Sequence, residues 1–97
     1  LTSDAEGKPD AEGEAMEGRR VAILGIIVED PQSVDSLNAI LHECNEWIIG
    51  RMGIPYRERG ISIISIVMDA PGDVISGLSG KIGMLHGVSC KATYSKI

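Results

Sequence analysis

Apolar residues occupy both alternating sets of positions in two segments of the chain. In residues 19–29 one set contains Val21, Ile23 and Ile27, and the other contains Ala22, Leu24, Ile26 and Val28. Residues 61–68 follow the same rule, with Ser62 and Ser65 as the polar members. Because successive side chains of a strand point to opposite faces, both segments predict strands that are apolar on both faces.

Two other segments repeat their apolar residues at spacings of three and four, which is typical of amphipathic helices. Asp30 and Pro31 signal a helix start, as an N-cap acceptor followed by a proline at the first helical position. The first apolar stripe that follows contains Val34, Leu37, Leu41, Cys44 and Ile48, and it predicts a helix to about residue 46 or 47. After a predicted turn at residues 69–73, the second stripe contains Val74, Ile75, Leu78, Ile82 and Leu85, with Gly87 expected as its C-terminal cap.

The remaining elements are short. Residues 47–52 predict a strand that ends at Gly53 and Pro55, and residues 88–94 alternate as expected for an edge strand. The order βαββαβ predicts an α+β, ferredoxin-like domain over residues 19–97, in which a four-stranded antiparallel sheet carries both helices on one face. A truncated doubly wound fold has the same elements and is the alternative.

With both helices on one face, the other face of the sheet would expose many Val and Ile side chains. Soluble monomers rarely leave so large an apolar patch in water. A homo-oligomer, dimer or tetramer, is therefore expected to bury that face.

Charge is concentrated at the start of the 97-residue chain. The net charge is −5, and residues 1–18 account for all of it. This segment predicts a disordered acidic tail, with a functional acidic arm as the alternative and Met16 as a candidate first residue of the natural chain. The neutral remainder argues against direct binding of nucleic acid, which requires clustered Lys and Arg.

The cysteines and the hydropathy of the chain indicate the cellular compartment in which the protein is expected. Cys44 and Cys90 form no CxxC pair, and no signal peptide is expected, so both are expected to be reduced and buried. The longest apolar run is far below the roughly twenty residues of a membrane span. A cytoplasmic protein without membrane contact is expected.

Candidate chemistry is sparse. Gly77, Gly80 and Gly83 recur within the second predicted helix, although each lowers helix stability by about 1 kcal/mol relative to Ala. Their spacing predicts a close approach to the helix, by the sheet, another subunit or a ligand. Only His42 and Glu46 have the i, i+4 spacing of metal ligands on a helix, so no metal or cofactor is expected. No nucleophile–His–acid set exists in the sequence, so no catalytic residue or enzyme activity is expected.

Three runs carry a family resemblance: Arg51-Met-Gly-Ile-Pro-Tyr-Arg-Glu-Arg, Ile61-Ser-Ile-Ile-Ser-Ile-Val-Met, and Leu78-Ser-Gly-Lys-Ile-Gly-Met-Leu-His-Gly-Val-Ser-Cys-Lys. They resemble the iron-only hydrogenase system regulator family, which is similar to ACT domains and to the C-terminal domain of the nickel-responsive regulator. The resemblance implies a ferredoxin-like fold, dimers or tetramers, and a role in transcriptional regulation or hydrogenase maturation.

Two departures narrow this resemblance. Residues 61–68 contain no His or Cys, so the nickel regulator's histidine-rich strand has no match. Amino-acid-binding ACT domains favour a glycine in the first loop, and this chain has none directly after Asp30 and Pro31. In addition, no DNA-binding helical motif is present.

The leading hypothesis is a regulatory module with a small-molecule effector or an assembly role, with Asp30, Gly77, Gly80 and Gly83 as ligand-binding residues. The alternative is a structural protein–protein interaction module without a small-molecule ligand.

Overall fold

The computed structural model describes residues 18–96, so the predicted acidic tail lies outside the described residues except for Gly18. The helices and strands, in chain order, are β1 (Arg19–Val28), α1 (Val34–Glu43), β2 (Ile48–Tyr56), β3 (Ile61–Pro71), α2 (Gly72–Gly83) and β4 (Val88–Tyr94). Short 3-10 turns precede α1 and follow α1 and β2, at Pro31–Ser33, Asn45–Trp47 and Arg57–Arg59.

The four strands form one sheet in the order β2-β3-β1-β4. Every pairing is antiparallel, with Ile23 opposite Val67 on β3 and Ile26 opposite Cys90 on β4. A doubly wound fold requires parallel strands, so this alternative is excluded. The predicted ferredoxin-like architecture is confirmed.

The two predicted faces of β1 have opposite environments. Its even-numbered residues Ala22, Leu24, Ile26 and Val28 are buried, whereas Val21, Ile23 and Ile27 on the other face are exposed. Side chains of both helices pack on the buried face, so the core is a single layer between sheet and helices; its helical members are Leu37, Leu41, Ile75, Leu78 and Ile82. Burial of apolar area at about 25 cal/mol per Å² stabilises this layer.

Several predicted boundaries are wrong. Helix α1 ends at Glu43, because the chain leaves helical geometry at Cys44 and enters a 3-10 turn. Strand β2 continues through Gly53 and Pro55 to Tyr56. Proline has no N–H group to donate to a neighbouring strand. Because β2 is an edge strand, with no neighbour on its outer side among residues 18–96, it can contain Pro55.

A further error concerns residues 69–73, which were predicted to form a turn. Strand β3 continues to Pro71, which pairs with Arg19, and α2 begins directly at Gly72. Pairing with β1 therefore extends the strand into the Pro71-Gly72 segment that predicted a turn.

No helix within residues 18–96 is long and apolar enough to cross a bilayer.

Candidate functional site

The sheet surface opposite the helices, here called the open face, carries most of the exposed large apolar residues of the range 18–96. Seven of its side chains are 39–61% exposed: Val21, Ile23, Ile27, Met52, Ile54, Tyr56 and Ile63. Ile61 and Val67 lie among them and are half-buried. Strands β1, β2 and β3 thus present one contiguous apolar surface, of the kind that marks an interaction site.

Charged groups lie at both ends of the open face. At one end Arg19 donates a hydrogen bond from Nη2 to the carbonyl oxygen of Asp69 (3.1 Å), and its guanidinium lies 5.5 Å from the ring centre of Trp47. At the other end Glu29 and Arg59 line a depression of about 470 Å³ together with Tyr56. Each end therefore carries an acid and a base.

A second feature is the junction between the β1–α1 and α2–β4 loops. The imidazole Nδ1 of His86 lies 2.7 Å from Asp30 Oδ2, and the hydroxyl of Ser33 donates to the carbonyl oxygen of His86 at 2.7 Å. The Glu29 amide donates to the carbonyl oxygen of Gly87 at 2.6 Å. These bonds join two loops that are more than fifty residues apart in the chain.

Gly87 is required at this junction. Its φ is +69°, and a Cβ atom there would lie 2.7 Å from the Cβ atom of Asp30 and 3.0 Å from its backbone nitrogen. A side chain would therefore meet both backbone strain and a clash. The expected helix cap is thus a loop-packing residue, four positions beyond the end of α2 at Gly83.

Both carboxylate oxygens of Asp30 have partners. Oδ1 accepts from the Gln32 amide at 3.0 Å, and Oδ2 contacts His86. The hydrogen bond from the Gln32 backbone, followed by that from His86, lowers the pKa of Asp30 below its ordinary value. The predicted capping role is confirmed, for the 3-10 turn that leads into α1. His86 lies in the loop between α2 and β4, against Asp30.

The three glycines of α2 face away from the core. Gly77, Gly80 and Gly83 are exposed, and within the described part of the chain a Cβ atom on any of them would meet no atom within 4 Å beyond its chain neighbours and the backbone of its own helix. Close packing of the sheet therefore does not explain why three glycines recur in α2. Another subunit or a ligand on this helix surface stays a prediction, as does a binding role for Asp30, whose contacts are with Gln32, His86 and Gly87.

The model of a protein family described as "TM1266-like: Iron-only hydrogenase system regulator, putative" matches residues 20–92, from β1 to β4. The chain belongs to the iron-only hydrogenase system regulator family. An uncharacterized protein from Thermotoga maritima, TM1266, has a solved structure that is 37% identical with a TM-score of 0.78, covering 80% of this chain and 99% of that one. No curated protein sequence matches the chain.

A more distant structure shares the fold of this regulator-family chain. It is a formyltetrahydrofolate deformylase from Pseudomonas putida KT2440, 19% identical with a TM-score of 0.55. The match covers 75% of this chain but only 28% of the deformylase, so the likeness is to one part of a longer protein.

The cysteines of this regulator-family member are free thiols. Burial raises the pKa of both, and Cys90 Sγ accepts a hydrogen bond from the Ser79 hydroxyl at 3.5 Å. Both are half-buried and pack against the core, whereas the sequence predicts fully buried thiols. Within residues 18–96 no three His, Cys, Asp or Glu side chains are grouped so that they could hold a metal ion, and Glu46 lies beyond the helix that carries His42.

The arginines that surround the β2–β3 connection do not share one site. Arg59 lines the depression at the end of the open face, whereas Arg51 lines a separate cavity beside α1. Ser62, a polar residue of strand β3, lines that same cavity. Alternation along β2 and β3 indicates the face of each residue, but the proximity of α1 could not be seen without the fold.

Proposed function

We propose that this protein is a regulatory module of an iron-only hydrogenase system and acts as a homo-oligomer whose interface is the open face. The observation that carries the proposal is the exposure of seven large apolar side chains on one side of the sheet. Family membership supports the regulatory role.

Burial of the open face supplies the driving force for assembly. The helices occupy the opposite side of the sheet, so the fold itself leaves Ile23, Ile27 and Ile63 in water. Transfer of such side chains from water into an interface is favourable by about 25 cal/mol per Å². An interface of this type resembles a domain core that is divided between two chains.

A second copy of the chain fits the charges at the ends of the open face. In a two-fold interface the same surface meets itself. Arg19 with Asp69 at one end and Glu29 with Arg59 at the other give each end both signs of charge, so opposite charges can face each other whichever ends meet. Regulation then acts through the assembly, with a small-molecule effector that changes its stability or its contacts.

Native mass spectrometry of freshly purified protein tests this function. The proposal predicts an oligomer that carries an additional small mass, which identifies the effector class. A clean oligomer with no added mass would favour a structural interaction module, and a monomer would contradict the role of the open face.

A further inference from the structure

A cavity of about 300 Å³, here called the edge cavity, lies between α1 and the edge strand β2. Gly53 leaves space there, since even a Cβ atom on it would be 3.9 Å from its nearest neighbour, Ile64 Cγ1. The cavity is lined by Val34, Asn38, Arg51, Gly53, Ile54, Pro55, Ser62 and Ile64. Its volume is at the lower end of the roughly 300–1,000 Å³ range of small-molecule sites.

The polar side chains that line the edge cavity, Asn38, Arg51 and Ser62, can each donate a hydrogen bond. Arg51 Nη2 donates to Asn38 Oδ1 at 3.2 Å. Because a guanidinium can only donate, the amide oxygen of Asn38 must face Arg51, which leaves the Asn38 NH₂ group as a further donor. The hydroxyl of Ser62 is the third polar group of the lining.

The charge of the edge cavity has one sign. Among residues 18–96, Arg51 is the one charged residue that lines the cavity, and no Asp or Glu of this range lines it. The planar guanidinium matches the geometry of a carboxylate, which can accept two parallel hydrogen bonds from it. The half-buried side chains of Val34 and Ile64 offer an apolar surface beside these donors.

We propose that the edge cavity binds a small organic monoanion, a carboxylate with a short branched apolar group. Arg51, the Asn38 NH₂ group and the Ser62 hydroxyl hold the carboxylate, and the apolar group packs on Val34 and Ile64. An effector role for this ligand rests on the proposed regulatory function, whereas binding itself does not require the open face to form an interface.

The test is a titration of the full-length ¹⁵N-labelled protein with 3-methylbutanoate at fixed ionic strength. We expect saturable shifts of the Asn38 side-chain amide and the Gly53 amide resonances. The neutral analogue 3-methylbutanamide, of the same shape, should leave both resonances in place. Equal shifts with the amide, or no saturable shift with the acid, would overturn the proposal.

Two variants locate the binding. Arg51→Gln should weaken binding at least about tenfold, the effect of losing a charge-assisted hydrogen bond. The matched control Arg57→Gln removes the same charge from the adjacent turn, outside the cavity lining, and should bind as the wild type does. Unchanged affinity of Arg51→Gln would count against the site.

Gly53→Val fills the cavity and keeps Arg51. It should abolish the shifts while the spectrum stays dispersed, since valine suits a strand and Gly53 has no positive φ. Retained binding would again overturn the proposal. Sedimentation of the same samples reports the oligomer separately, so failure of the open-face interface is distinguishable from failure of carboxylate binding.

Discussion

At the scale of single residues, Asp30 combines a local and a long-range role. Its carboxylate caps the turn before α1 through the Gln32 amide and contacts His86 from the loop that precedes β4. These two interactions favour the ionised carboxylate and lower the pKa of Asp30 in the folded protein. Since the unfolded chain lacks them, the stability of the fold depends on the ionisation of this one group.

Asp30→Asn tests this dependence on pH. A lowered folded-state pKa means that the carboxylate stabilises the fold above the ordinary Asp pKa of 3.8, and that this contribution is lost as the pH falls through the folded-state value. We therefore expect Asp30→Asn to be less stable than the wild type at neutral pH and to converge with it in acid. Thermal melts of both proteins at several pH values measure this. A difference in melting temperature between them that does not narrow in acid would contradict the prediction.

Gly87→Ala tests the junction at its backbone. An alanine would need a left-handed backbone and would place Cβ 2.7 Å from Asp30 Cβ. We expect a loss of about 1–3 kcal/mol in the free energy of unfolding, as for other residues held in rare conformations. Urea unfolding measures it. A variant as stable as the wild type would show that the two loops can separate freely.

The sequence predicts part of this junction but not its long-range contacts. The Asp30-Pro31 pair predicts the cap, because the Asp30 carboxylate and the Gln32 amide that donates to it are only two residues apart in the sequence. His86 is 56 residues from Asp30 in the chain, and no local signal pairs them. Gly87 was predicted to end a helix; its left-handed backbone instead serves the close approach of Asp30.

At the scale of secondary structure, alternation predicts which residues of a strand share a face, but not which of two apolar faces the helices cover. In β1 and β3 every second residue enters the core, and the intervening residues lie on the open face. Boundaries are predicted less well, because the turn signals at Pro55 and at Pro71-Gly72 are overridden by pairing with neighbouring strands. The helix C-terminus at Glu43 was missed because the apolar stripe continues past it into a 3-10 turn and β2.

Gly80→Ala tests the exposed surface of α2. In the described chain a Cβ atom at this position contacts nothing, so alanine should stabilise the helix by up to about 1 kcal/mol. Chemical denaturation at two protein concentrations checks this. Destabilisation that grows with concentration would instead show that a second subunit packs against these glycines.

At the scale of the whole molecule, one arrangement accounts for both the fold and the proposed assembly. Four strands with two helices on one side leave the open face without cover, and this follows from the element order alone. The sequence therefore predicts the apolar surface, which the structure confirms in Ile23, Ile27 and Ile63. The edge cavity could not be predicted, because Asn38, Arg51 and Ser62 lie on three different elements that only the fold brings together.

The most direct test of the central claim is the mass of Ile23→Glu by sedimentation equilibrium. The wild type should sediment as a multiple of the 10.3 kDa chain. Ile23→Glu, with a charge at the middle of the open face, should sediment as a single folded chain, since burial of an unpaired charge is strongly unfavourable. Met84→Glu, which alters an exposed methionine outside the open face, should retain the wild-type mass. A wild type that is monomeric at micromolar concentration, or an Ile23→Glu variant that keeps the wild-type mass, would contradict assembly through the open face.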